Sequence, residues 1–93
     1  MSWYTYILEC ADCSYYVGIT SDPKKRLALH NTGQAAVWTK MRRPVKYRYI
    51  EGCRSKSEAR RRELELKGWR REKKEGLFSS PDNLLKADMF DQL

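Results

Sequence analysis

Three cysteines, one histidine and no long apolar run set the first limits on this chain. An odd number of cysteines cannot pair completely within one chain, so reduced thiols in the cytoplasm are expected. No apolar stretch approaches the roughly 20 residues of a spanning helix. Met1-Ser2-Trp3 does not begin a signal peptide. No membrane partner is therefore expected. Cys10-Ala11-Asp12-Cys13 has the C-x-x-C spacing. A structural zinc site wants a second close pair of ligands. Only Cys53 and His30 are left to supply it, and they lie far apart in sequence. A redox motif belongs where a strand meets a helix, whereas this one falls between two strand-like runs. A polar hairpin loop is the expectation here.

What is abundant is positive charge. Lys and Arg number 19 against 12 Asp and Glu, a net of +7 in 93 residues. The surplus is uneven. Residues 1–53 carry eight basic and four acidic side chains, residues 54–78 ten and five, and residues 79–93 one and three. A basic body with a faintly acidic tail suits a polyanionic partner, most simply nucleic acid. The competing explanation is a solvated surface. The length suits one domain with one small core.

Trp3 to Glu9 and Tyr15 to Thr20 read as two strands joined by a hairpin loop. Asp22 is a preferred cap and Pro23 suits the first position of a helix running to Asn31, with Asn31-Thr32-Gly33 as its stop. Gln34 to Arg43 is ambiguous, with a helical turn possible at Ala35-Ala36-Val37-Trp38. Val45 to Glu51 alternates Val45, Tyr47 and Tyr49 against Lys46 and Arg48, a third strand with one basic face. Ser55-Lys56-Ser57-Glu58 is a capping box that opens a helix to about Lys67. Gly68 interrupts it, and a further turn or two ends at Gly76. The order β-β-α-β-α-α predicts an α+β fold: a small three-stranded, mostly antiparallel sheet flanked by helices. Residues 1–78 form the expected domain and residues 79–93 a tail, with a turn at Pro81-Asp82-Asn83 and a short apolar-acidic stretch that either packs on the body or frays.

Two places carry candidate chemistry. At the second strand and first helix, Tyr16, Gly18, Arg26 and His30 put a phenol, a guanidinium and the only imidazole around one junction. Arg26 and His30, four apart, share a helix face. In the long helix, Ala59, Glu63 and Leu66 fall at i, i+4 and i+7, the spacing of a core-facing stripe. A carboxylate drawn toward a sheet is costly unless a cation or hydrogen bonds meet it. A bound Mg²⁺ would meet it, since hard oxygen ligands suit that ion. The alternative is a surface ion pair with Lys67. The other helix glutamates have expected partners at i, i+4: Glu58 with Arg62, and Arg61 with Glu65.

These residues, in this order, resemble the GIY-YIG nuclease family. The resemblance rests on Thr5-Tyr6-Ile7-Leu8, Tyr16-Val17-Gly18, Arg26, His30 followed by Asn31, and Glu63. Tyr6 to Tyr16 and Tyr16 to Arg26 are each ten residues. It covers about Trp3 to Phe78, and in size the chain is similar to small stand-alone members and to the nuclease module of bacterial excision repair. The first motif reads Tyr4-Thr5-Tyr6 and keeps only the final tyrosine of its pattern.

The resemblance implies a divalent-metal-dependent endonuclease acting on DNA. It assigns Tyr6 and Tyr16 to the paired phenols, one of which helps remove a proton from the attacking water. A tyrosine is a poor base at pH 7 unless its neighbours favour the phenolate, and Arg26 or a metal-bound water is expected to do that. Arg26 would bind the scissile phosphate, and His30 would serve as hydrogen-bond partner or proton carrier. Glu63 would hold one Mg²⁺ or Mn²⁺. A one-metal scheme is favoured because Glu63 is the one strong carboxylate candidate. Lys24, Lys25, Lys40, Arg42, Arg43, Arg61 and Arg62 are the expected phosphate contacts, extended by Arg60, Arg70, Arg71, Lys73 and Lys74. A separate protein is an expected source of targeting. The alternative function is a nucleic-acid-binding module that keeps the fold but has little turnover.

Overall fold

The computed structural model describes residues 2–87. Strands β1 (Trp3–Glu9), β2 (Tyr15–Thr20) and β3 (Lys46–Cys53) form one antiparallel sheet in the order β2-β1-β3. The helices are α1 (Pro23–Asn31), α2 (Val37–Lys40), α3 (Lys56–Lys67) and α4 (Arg71–Gly76), followed by two 3₁₀ turns, Leu77–Ser79 and Leu84–Ala87. The expected α+β class and element order hold, and the sheet is antiparallel throughout.

β1 is the central strand and is covered on both faces. Tyr6 and Leu8 pack with Cys10, Val45, Tyr47 and Ile50 on one side. Ile7 packs with Val17, Tyr49 and Leu66 on the other, with Trp69 and Phe78 against them. Alternation of side chains along a strand produces this division. β3 departs from it. Ile7 pairs with Tyr49 but Leu8 pairs with Tyr47, so Arg48 is an extra residue in the ladder. The bulge sends Tyr47 and Tyr49 to opposite faces. The expectation of one tyrosine face and one basic face on this strand is corrected accordingly.

Asp22 caps α1, its Oδ1 accepting from Lys25 N at 3.1 Å, and Pro23 occupies the first turn. Thr32 ends the helix, and Gly33 follows in the left-handed region at φ +80. Ser55 caps α3 by accepting from Glu58 N at 3.1 Å. The Glu58 carboxylate does not stay with Arg62 but pairs with Arg54. Thr5 Oγ1 donates to the Ala59 carbonyl at 3.0 Å and ties α3 to β1. Ala59, Glu63 and Leu66 are the buried residues of α3, as the stripe predicts.

The loop between β1 and β2 is a polar hairpin, with Asp12 Oδ1 accepting from Ser14 N and Oγ. Cys53 pairs with Trp3, at the far end of β1 from that loop, so the three thiols do not gather. Part of the expected tail belongs to the body. Buried Asn83 accepts from Ile50 N and donates to the carbonyls of Arg48 and Phe78, and Leu84 and Leu85 pack on the core. The rest of that tail, residues 88–93, lies outside the described residues.

Candidate active site

The site begins with the cross-strand pair Tyr6 and Gly18. A Cβ at position 18 would lie 2.4 Å from Tyr6 Oη. Glycine is thus what lets the phenol lie across the backbone of the edge strand. Tyr6 is buried, packed edge-on against Tyr47 and His30. Its hydroxyl is 2.8 Å from His30 Nε2. Burial, with Tyr47 and Tyr16 adding to it, pushes this phenol well above its usual range. Arg26 pulls the other way and is outweighed. Tyr6 therefore holds its proton at rest, and Arg26 alone does not favour the phenolate.

His30 stands in the last turn of α1, 1% exposed. Its Nδ1 lies 2.8 Å from Thr39 Oγ1. Burial, reinforced by the nearby charge of Arg26, pushes the imidazole down to about 4. It is neutral at pH 7. Tyr16 sets its ring edge toward His30, centroids 5.4 Å apart. Arg26, one turn before His30, has no carboxylate within ion-pair distance among the described residues.

Glu63 reaches the site from α3. It is 5% exposed, with Oε1 2.6 Å from an Arg60 nitrogen and Oε2 3.1 Å from Lys67 Nζ. Both sequence alternatives hold in part: the carboxylate is buried, and it is paired.

Tyr6, Tyr16, Arg26, His30 and Glu63 all line one cavity of about 300 Å³, with Gly18, Lys56 and Arg60. Residues of both sheet faces contribute, so the cavity runs past the β2 edge. Among the described residues no three His, Cys, Asp or Glu side chains converge as a ligand cluster. One carboxylate beside hydroxyls in an open, polar cavity fits a hard divalent cation that keeps most of its own water. It does not fit a closed zinc site.

The expected phosphate contacts separate into two groups. Lys24, Lys25, Lys40 and Arg61 make no ion pair among the described residues. Arg42 is tied to Asp12 and stacks on Trp38 at 3.4 Å. Arg43 donates to the carbonyls of Lys40 and Asn31. Arg62 pairs with Glu51 and Glu65 and lies over Trp69. Arg61, expected with Glu65, leaves that partner to Arg62. Thr39 escaped sequence reasoning and gave no signal there; Arg60 was expected as a phosphate contact but not as the partner of Glu63.

Comparison with known proteins gives concordant matches. Residues 2–76 match the model of the GIY-YIG catalytic domain. A UPF0213 protein of Streptococcus pneumoniae is 49% identical over 76 residues, covering 82% of this chain and 77% of that protein. One from Halobacterium salinarum is 47% identical over 75 residues, covering 81% and 97%. The solution NMR structure of the UPF0213 protein BH0048 from Bacillus halodurans superposes with a TM-score of 0.57 at 38% identity, over 96% of this chain and 95% of that one.

Proposed function

Since this chain belongs to the GIY-YIG family, we propose that it is an endonuclease hydrolysing phosphodiester bonds in DNA with one bound Mg²⁺ or Mn²⁺. The observation that carries the proposal is the single cavity shared by Tyr6, Tyr16, Arg26, His30 and Glu63. They come from a central strand, an edge strand and two helices on opposite faces. Packing alone gives no reason to aim all five into one space.

In this reading Arg26 binds a non-bridging oxygen of the scissile phosphate. Its charge is not spent on a carboxylate, so it offsets the negative charge that grows in the pentavalent transition state. Tyr6 takes a proton from the attacking water as its own proton passes to His30 Nε2. The buried imidazole reaches water through the phenol. Its lowered proton affinity favours return of the proton once the bond is broken. Tyr16 offers its hydroxyl to the water or the phosphate. Glu63 would hold the divalent ion, with Arg60 giving up Oε1. When bound, that ion supplies charge stabilisation at the leaving oxygen. Lys24, Lys25, Lys40 and Arg61 would grip the DNA backbone without reading sequence. A separate protein is proposed to add targeting, with the cytoplasm as the site of action.

A second reading rests on the pairing of both Glu63 oxygens with cations. A binding module with little turnover would keep them so. A cleavage assay on branched, flapped and linear DNA with Mg²⁺ or Mn²⁺, comparing wild type with Glu63→Ala, separates the two. The nuclease reading expects the variant to bind DNA as well as wild type and to cut none. Equal cutting by both overturns the site. Binding without cutting by wild type on every substrate favours the module.

A further inference from the structure

α2 inverts the usual pattern of a surface helix. It exposes Val37 (78%) and Trp38 (45%) and buries one residue, Thr39, at 0%. Burial normally selects the apolar side chain. A threonine in that position needs a reason that its methyl group does not supply.

The reason lies in its hydroxyl. Thr39 Oγ1 is 3.2 Å from the Ala36 carbonyl and 2.8 Å from His30 Nδ1. A carbonyl oxygen accepts only, so both contacts are hydrogen bonds at once when the one hydroxyl proton goes to Ala36, whose carbonyl also accepts from Lys40 N. In that arrangement lone pairs remain for Nδ1, which carries the hydrogen. In a neutral ring Nε2 is left bare. The Tyr6 hydroxyl, 2.8 Å away, therefore donates to it. The donors run one way: Tyr6 to His30, His30 to Thr39, Thr39 to Ala36.

We propose that Thr39 is a positioning residue that fixes the Nδ1–H tautomer of His30 and so makes the imidazole an acceptor for the Tyr6 proton. Its catalytic consequence rests on the nuclease reading above; its geometry does not. In the reaction a water O–H bond breaks as a phenol O–H forms. The former phenol proton forms an Nε2–H bond, the hydroxide oxygen bonds to phosphorus, and the bond from phosphorus to the leaving oxygen breaks; that oxygen leaves with the bonding pair and takes a proton from solvent. Thr39 accepts from Nδ1–H before and after, so no group turns over. Without the hydroxyl the ring is free to carry its proton on Nε2 and donate to Tyr6, which blocks the transfer.

His30 is the only histidine, so imidazole nitrogen signals from ¹⁵N-labelled protein have one source. Wild type and Thr39→Ser are expected to show a protonated Nδ1 and a bare Nε2. Thr39→Val keeps the shape, loses the hydroxyl, and is expected to show mixed or reversed tautomers. In cleavage, Thr39→Val should lower kcat by about ten- to a hundredfold with KM within about twofold, and Thr39→Ser should restore most of it. An Nε2–H tautomer in wild type overturns the proposal, even if no Thr39 variant folds. So does a valine variant with the wild-type tautomer, or a serine variant no better than valine. The spectrum needs no catalysis: if wild type cuts nothing, the nuclease reading falls and the tautomer still decides the role of Thr39.

Discussion

The two helices on either side of β1 each deliver one buried polar group to the cavity and satisfy it in opposite ways. On the α1 side, His30 is held by two buried hydroxyls, Tyr6 and Thr39. On the α3 side, Glu63 is held by Arg60 and Lys67, whose side chains are 59% and 46% exposed. The first arrangement is neutral and built into the core. The second is ionic, with partners anchored only at their stems. A neutral pocket linked by hydrogen bonds gives a proton a path, the charge then resting for a time on His30. An ionic pocket with mobile partners can exchange one cation for another. In the proposed reaction the sheet edge thus separates proton handling from charge handling.

The largest expected effect tests whether the ionic side serves function more than stability. Glu63→Gln should reduce cleavage by at least about a thousandfold, near 4 kcal/mol. Both cation partners are exposed and glutamine keeps the shape and a hydrogen-bonding oxygen, so the variant's urea unfolding free energy should change by less than about 1 kcal/mol. His30→Ala should cost about 2–4 kcal/mol of stability, through a cavity and two stranded hydroxyls. Comparable losses of stability in the two variants would break the contrast.

The neutral side should also be the acid-sensitive one. An unfolded histidine takes its proton near pH 6.5, whereas the folded one does so only at about 4. Above 6.5 this group is neutral in both states and has no effect. Between 6.5 and 4 the unfolded chain binds the extra proton, so stability falls with falling pH, by up to about 3 kcal/mol. Unfolding at pH 7 and pH 4.5, compared between wild type and His30→Gln, isolates this share, because the carboxylates titrate in both proteins. An equal acid loss in the two proteins would mean His30 is already charged in the folded state.

The ionic side was the easier one to read from sequence. Glu63 shares a helical stripe with Ala59 and Leu66, and a local period suffices to place it. Arg26 and His30 were legible for the same reason. The partners of His30 were not. Thr39 lies on a four-residue helix, and its hydroxyl meets the ring only because α2 folds back onto α1. The Arg48 bulge was equally hidden, since Val45, Tyr47 and Tyr49 keep a regular alternation on paper while the ladder skips a residue. The choice of Glu51 over Glu58 by Arg62 came from β3 passing beneath the helix. Local periods placed the elements and one carboxylate; contacts between elements chose the remaining partners.

Gly18 tests how tightly the neutral side is fitted. The methyl group of Gly18→Ala would overlap Tyr6 Oη at 2.4 Å. The phenol has to move, and its bond to His30 goes with it. A loss of about 1–3 kcal/mol is expected. Pairing the substitution with Tyr6→Phe, which removes the clashing oxygen, should recover part of it. If the double variant is no more stable than Gly18→Ala alone, the oxygen is not what the glycine accommodates.

The smallest effect concerns the soft tie on the ionic side. Arg60 lines the cavity and holds Glu63 Oε1, where it would compete with a divalent ion, while Lys67 holds Oε2 and is not among the lining residues. A pair with one exposed partner of this kind contributes about 1 kcal/mol. Arg60→Ala should therefore tighten Mn²⁺ binding by about two- to fivefold, read from the free-ion signal in electron paramagnetic resonance. Lys67→Ala should do less if the ion takes Oε1 alone. Weaker Mn²⁺ binding in Arg60→Ala would reverse the sign of the argument: the arginine would then be aiming the carboxylate rather than competing for it, and the ionic pocket would be as firmly built as the neutral one.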